Sequence, residues 1–416
     1  MMNSDVLIIG AGLAGLSCAR TLESCGISYL LLEASDTVGG RVRTDHVNGF
    51  LLDRGFQVFS TAYPEANRIL DYPSLKLNHF APGAVIRLKG KWHRILDPFR
   101  RPFSAIQTLL SPIGTISDKF LMAKFRHWAL SDTISELFSR QERSTLHYLQ
   151  DLGFSANMIN RFFRPFLGGV FLDSELNTSS RMAEFIFRMF ASGSTSLPAE
   201  GMGAIPQQIC SFLPPKKIRT QAKVTSIHDT TVTLESGESL SPHAIVMATE
   251  GMAAKQLIPS LKPPPYHSVT CLYFAAPEPP FVGPYLLLNG EGVGPINNLC
   301  VLSQVAPTYS PTTQELLSVS VLNPKDQSEP TLEAQVRSQL LKWFGTQAKD
   351  WQHLHTSTIR AAQPRQVVPF PNPQAFQPHL QNGMFVCGDY CTTGTIDGAL
   401  FSGHRTAENV RDWLER

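Results

Sequence analysis

Gly10-Ala11-Gly12-Leu13-Ala14-Gly15 is a G-x-G-x-x-G run, and the chemistry open to it is anion binding by the backbone. A pyrophosphate needs N–H donors and an approach that side chains would block, so glycine is the residue type this task selects. In that pattern Gly10 permits a tight turn, Gly12 clears the approach, and Gly15 lets a helix pack close to a strand. Glu33 follows 23 residues after Gly10, where a carboxylate accepts hydrogen bonds from an adenosine ribose and disfavours a 2′-phosphate. Val38-Gly39-Gly40-Arg41 then sets two glycines before a guanidinium, a combination suited to phosphate oxygens. In isolation a solvated turn with a surface arginine has the same appearance.

The elements that must position these groups are legible around them. Residues 5–9 are a short apolar run ending at Gly10, and Leu13, Leu16, Ala19 and Leu22 recur at helical spacing. Gly26 closes that helix and 28–32 is a second apolar run ending at Glu33, which together make one βαβ unit with parallel strands. From 84 to 192 the texture becomes aromatic, basic and helical. Strand signals return at 222–227, 231–234 and 244–248, so the chain re-enters the first domain. Residues 266–370 carry short β-rich runs at 268–274, 285–288 and 316–322, with an amphipathic helix near 332–343. A last buried strand at 384–387 precedes Gly388-Asp389 and a terminal helix over 398–415. No internal repeat is visible.

The two ends of the chain share a resemblance. The glycine loop, the acidic Glu33 and Gly39-Gly40-Arg41 resemble the N-terminal signature of the flavin amine oxidase and phytoene desaturase superfamily, which includes the protoporphyrinogen oxidases. Phe385-Val386-Cys387-Gly388-Asp389-Tyr390 and Ile396-Asp397-Gly398-Ala399 are similar to its C-terminal flavin motif, and 223–227 and Ala248-Thr249 fit its middle elements. The resemblance covers about residues 5–64, 197–252 and 380–412. It implies FAD, with Asp389 at the ribityl-pyrophosphate region, Val224 at the adenine and the last helix aimed at the flavin pyrimidine edge. A helix N-terminus, worth roughly +0.5 charge, stabilises the negative charge that reduced flavin carries there. The implied cofactor set is Gly10, Gly12, Ala14, Gly15, Glu33, Ala34, Gly39, Gly40, Arg41, Gly55, Val224, Ala248, Gly388, Asp389, Ile396 and Ala399.

Within that superfamily, 55–64 (Gly-Phe-Gln-Val-Phe-Ser-Thr-Ala-Tyr-Pro) resembles a stretch of the plant-type and cyanobacterial carotenoid desaturases, although Gln57 stands where those carry histidine. The resemblance places Gln57, Tyr390 and Thr395 near the flavin. A second cage aromatic of the monoamine oxidase branch would fall at Thr395, and no Ser-Gly-Gly-Cys-Tyr is present for covalent attachment, so FAD is expected to be noncovalent. Gln57 reads equally as a loop-satisfying amide, and Cys387 and Cys391 read as buried small hydrophobes. His46, His79, His93 and His404 read as surface or structural residues, so no general base is assigned.

Composition narrows the classes. At 416 residues, 43% hydrophobic and 17% charged, the chain carries a large core and no disordered bulk. A net charge of +2 excludes a global nucleic-acid footprint. Seven cysteines without a CxxC pair suit neither a disulfide framework nor a metal site, and point to a protein kept inside the cell. The longest uncharged run, 292–314, is broken by three prolines and is no membrane span. Residues 86–130 hold nine Lys or Arg against two Asp with aromatics interleaved. That pattern fits either a membrane-surface patch or an ordinary basic face. Arg161, Arg164 and Arg181 could guide an anionic substrate.

The expectation is an α/β protein: a discontinuous Rossmann-like FAD domain (1–75, 197–265, 371–416) and an α+β substrate domain (76–196, 266–370). The function expected is hydride removal from a largely apolar polyene- or tetrapyrrole-like molecule, with oxygen or a quinone as acceptor left open. Two alternatives stand beside it: an oxygen-using amine oxidase acting on a C–N bond, and a non-catalytic FAD-containing pigment-binding protein.

Overall fold

A computed structural model of the protein describes residues 5–311, 313–324 and 328–416. The chain starts with β1 (Val6–Ile9), α1 (Leu13–Ser24) and β2 (Tyr29–Leu32). All four residues of β1 are buried, as in a strand covered on both faces. It pairs in parallel with β2 on one side (Val6 with Tyr29) and with Ala244–Met247 on the other (Val6 with Ala244). The whole sheet has six strands in the order Ile218–Arg219, β2, β1, Ala244–Met247, Met384–Val386 and His379–Gln381, the last antiparallel. Strands far apart in sequence are thus neighbours, which requires the chain to leave this layer twice and return.

The excursions build a second sheet of seven strands. Its order is Gln352–Pro364, Tyr266–Ala276, Glu315–Leu322, Asn298–Val301, Leu286–Asn289, then β3 (Gly83–Leu88) and β4 (Lys91–Leu96). Every pairing is antiparallel except that of Leu286–Asn289 with β3. Strands β3 and β4 correct the reading of 84–192 as helical from its start. Lys89 and Gly90 both have positive φ (50° and 72°), the two-residue turn that matches the twist of a hairpin. The helical part begins only after it, with α2 (Ala105–Leu110) and α3 (Ile116–Ser131). Thr115 and Asp118 close α3 with a capping box.

Helix α4 (Ile396–Leu414) returns to the first sheet and lies against α1. The Ser17 hydroxyl donates to the Leu400 carbonyl at 2.7 Å. A Cβ at Gly403 would lie 2.1 Å from the Ala14 carbonyl oxygen, so glycine is what lets the two backbones approach. We propose the domain division at 75/76, 196/197, 265/266 and 370/371 from the way the two sheets draw their strands. No helix among the described residues is long and apolar enough to cross a membrane.

Candidate functional site

The site begins at the turn between β1 and α1. Gly10 has a φ of +105° and a Cβ there would sit 2.9 Å from the Ala248 carbonyl oxygen. At Gly15 a Cβ would lie 1.9 Å from the Gly10 carbonyl oxygen, so this glycine lets the helix close on the turn. Gly12 differs from both, because a Cβ would meet no protein atom within 4 Å. It faces open space at the N-terminus of α1, where the first N–H groups lack helical partners.

That space belongs to a cavity of about 1220 Å³, larger than the ~300–1,000 Å³ of an ordinary small-molecule pocket. Its lining includes Gly10, Gly12, Ala14, Glu33, Ala34, Gly39, Gly40, Arg41, Gly55, Val224, Ala248, Gly388, Asp389, Ile396 and Ala399, together with Gln57 and Thr395. Residues from both ends and the middle of the chain meet here because β1, Ala244–Met247 and Met384–Val386 are adjacent strands. Two residues from the sequence reading do not line it. Gly15 lies behind the loop, as its contact with Gly10 requires. Tyr390 is the larger correction, since its ring sits against Gly388 and its buried hydroxyl has no hydrogen-bond partner. Burial pushes that phenol well above its ordinary range.

The polar groups of the cavity are held by one another. One Glu33 carboxylate oxygen accepts from the Ala11 N–H at 2.8 Å, the other from the Ser35 N–H and hydroxyl at 2.8 Å. With about four lone-pair sites, the carboxylate has capacity for further donors. Arg41 departs from the simple expectation of a phosphate-facing guanidinium. It donates to the Asp389 carboxylate at 2.7 Å and to the Ala362 carbonyl at 2.8 Å, joining the N-terminal glycine pair to the C-terminal motif. Gln57 does both things the sequence left open: it lines the cavity, and its amide nitrogen donates to the Arg41 and Arg54 carbonyls at 2.9 and 3.0 Å. Thr395 is the N-cap of α4, accepting from the Gly398 N–H at 2.9 Å, so the positive end of a 19-residue helix opens on the cavity.

The same cavity continues among residues that the sequence did not assign to the site, Phe120 having counted only among the aromatics of the basic stretch 86–130. Ile113, Phe120, Met158, Phe162, Phe166, Phe187 and Phe190 line its other part. Phe162 and Phe166 stack at 5.2 Å between ring centroids, and Phe166 meets Phe190 at 5.2 Å. Gln363 was also missed; its amide nitrogen donates to the Gly394 carbonyl, while its buried carbonyl oxygen has no partner. Arg161, Arg164 and Arg181 do not line the cavity. They donate to the carbonyls of Pro112, Ser174 and Arg140, and the bases that reach the lining at this end are Arg100, Lys119 and Arg126. No histidine occurs among the lining residues, and no cluster of three potential metal ligands among the described residues.

Comparison with known proteins bears on the family and the fold. The family profile described as flavin containing amine oxidoreductase matches residues 13–411. Protoporphyrinogen oxidase 2 of Arabidopsis thaliana is 28% identical over 166 residues, 39% of this chain and 32% of that protein. Amine oxidase [flavin-containing] B of Mus musculus is 38% identical over 102 residues, 23% of this chain and 19% of that protein. The matched stretches therefore span about a third or less of these relatives' own length. Among solved structures, a putative protoporphyrinogen oxidase from Exiguobacterium sp. 255-15 superposes with a TM-score of 0.75 at 17% identity, covering 100% of both chains. Cyclohexylamine oxidase from Brevibacterium oxydans IH-35A gives 0.71 at 19% identity, again over 100% of both. At such identities the structures establish the fold.

Proposed function

The chain belongs to the family of flavin-containing amine oxidoreductases, the FAD-dependent oxidoreductases of amine oxidase type, and on that premise we propose that it removes a hydride from a largely apolar, polyene- or tetrapyrrole-like substrate. The observation that carries this reading is the continuity of one cavity from the glycine loop to the phenylalanine-lined lobe. FAD bound at the first end supplies a hydride acceptor. The chain's residues then have definable tasks. Gly12 and the N-terminus of α1 would receive the pyrophosphate, Glu33 the ribose, and the N-terminus of α4 the charged edge of the ring system.

At the other end Phe162, Phe166, Phe187 and Phe190 would exclude water and hold a flat apolar molecule by its faces. No histidine lines the cavity, and the contribution proposed for these rings is alignment and dryness. Desaturase-like chemistry is supported by 55–64, and tetrapyrrole oxidation by the likeness to the Arabidopsis oxidase. The absence of covalent flavin attachment is part of the same proposal.

The test is anaerobic reduction of the purified flavoprotein by polyenes, protoporphyrinogen and amines, followed through the flavin absorbance band. Bleaching by an apolar class supports the proposal. Bleaching by amines alone would replace it with C–N oxidation, and a flavin that no candidate reduces would replace it with pigment binding.

A further inference from the structure

Half of the fourteen large apolar side chains that stand exposed among the described residues fall within the 22 residues 99–120. Phe99, Phe103, Ile106, Leu110, Ile116 and Phe120 each keep 58% or more of their surface in solvent. They sit on the segment entering α2, on α2 itself and on the first turns of α3. A monomeric water-exposed protein rarely leaves so dense a patch uncovered. The charge beside it is predominantly positive, although Asp97 pairs with Arg100 and Arg126 at 3.8 and 3.9 Å. Residues 99–126 contain Arg100, Arg101, Lys119, Lys124 and Arg126 and a single carboxyl, Asp118. That carboxyl is buried and consumed by Thr115 and Ser155.

The bases are anchored largely by neutral acceptors. Lys119 donates to the carbonyls of Leu109 and Ser111 at 2.6 and 2.8 Å, and Arg161 to that of Pro112 at 3.2 Å. Among the described residues neither of them, nor exposed Lys124, pairs with a carboxylate. Three of the exposed apolar residues, Phe99, Leu109 and Phe120, also line the cavity. The patch therefore borders the apolar end of the cavity.

We propose that this face docks on an anionic lipid bilayer, with α2 and the start of α3 entering the boundary between headgroups and acyl chains and the basic ring resting on the headgroups. Apolar area with adjacent lysine and arginine is the chemistry that such a surface rewards. A protein partner would need only the apolar patch, whereas Lys119, Lys124 and Arg161, which pair with no carboxylate among the described residues, favour a negatively charged lipid layer. The cavity would then open into hydrocarbon, so a water-insoluble substrate reaches the site without crossing solvent. For that direction of entry the inference rests on the proposed apolar substrate; the docking itself does not.

The experiment is sedimentation of the flavin-loaded protein with vesicles of phosphatidylcholine, alone or with phosphatidylglycerol added. Binding is expected only with phosphatidylglycerol. Phe103→Asp combined with Leu110→Asp should abolish it, and Lys124→Glu should weaken it at least about fivefold; neither change touches a cavity residue, so flavin content stays at the wild-type level. Three outcomes would overturn the proposal: no binding to anionic vesicles, binding that survives the double substitution, or self-association removed by that substitution without any vesicle binding. Flavin bleached by a detergent-dispersed apolar substrate while vesicles are ignored would refute docking and leave the function standing. Vesicle binding with no bleaching would do the reverse.

Discussion

Gly12→Val separates cofactor binding from folding in a way few substitutions in this chain do. The residue is the N-cap of α1, with φ −72° and ψ −178°, a conformation valine adopts without strain. Its Cβ would meet no protein atom within 4 Å, so the folded chain without cofactor has nothing to move. Losing glycine at an N-cap costs about 1 kcal/mol, offset by about 0.4–1 kcal/mol from a less flexible unfolded chain. The net is near zero. With an unfolding entropy of about 2.1 cal/mol/K per residue, 416 residues give roughly 0.9 kcal/mol per kelvin, so the cofactor-free Tm should move by no more than about 1 K.

The flavin-loaded protein should behave differently, because the new isopropyl group occupies the space a pyrophosphate would need. At ligand a thousandfold above Kd, binding adds about 4 kcal/mol, or about 4–5 K on that scale. The wild type should show this rise on adding FAD and Gly12→Val should show none, by calorimetry on apoprotein with and without FAD. Gly15→Ala is the contrast, since a methyl 1.9 Å from the Gly10 carbonyl oxygen should prevent folding altogether. A Gly12→Val protein that purifies with a full complement of flavin and melts with the wild type would refute the glycine-loop argument.

Arg41→Leu leaves the nearly buried Asp389 carboxylate without its cation, and chemical denaturation should register a loss of about 2–4 kcal/mol; an unchanged midpoint would mean that the pair does not join the two ends of the chain. Burial pushes the Asp397 carboxyl up to about 7, above its unfolded value of about 3.9. The folded state therefore holds the proton more tightly, and this contribution is complete below about pH 4 and lost as pH rises through 7. Asp397→Asn can still accept from the Glu65 and Ala66 N–H groups. It should gain on the wild type by up to about 1.4 kcal/mol per pH unit across that window, and parallel stability–pH curves would contradict the assignment. Gln57→Ala removes the ties to the Arg41 and Arg54 carbonyls at the cavity wall. Stopped-flow reduction should show an altered rate with FAD still bound, and unchanged rates with every reducing substrate would remove Gln57 from the site.

The contrast between what the residues revealed and what they hid has a physical origin. At the glycine loop each position answers to a local constraint: a φ of +105° at Gly10, a 1.9 Å approach at Gly15, open space at Gly12. The constraints at Gly10 and Gly15 come from the chain itself and that at Gly12 from the ligand the space would receive, and together with the apolar strands on either side they make a readable pattern. The α/β class followed from those strands. The hairpin of β3 and β4 was less legible because its face is completed by Leu286–Asn289, about 200 residues later, and Gln352–Pro364 reads as polar because it is an edge strand whose exposed positions carry Gln, His and Arg.

The apolar lobe was hidden for a different reason. Phe162, Phe166, Phe187 and Phe190 have the composition and spacing of helix residues packed in any core, and nothing local distinguishes a ring that fills space from one that borders it. Only the fold, by leaving a cavity where those rings converge, makes the difference. The misplaced arginines obey the same logic: Arg161, Arg164 and Arg181 each find a backbone carbonyl nearby, while Arg100 reaches the cavity from the segment before α2 and Lys119 and Arg126 from α3. Cofactor recognition is written in backbone conformation, which sequence motifs encode directly. On the proposed function, substrate recognition depends on which packed rings also border the cavity, and that is a property of the assembled chain.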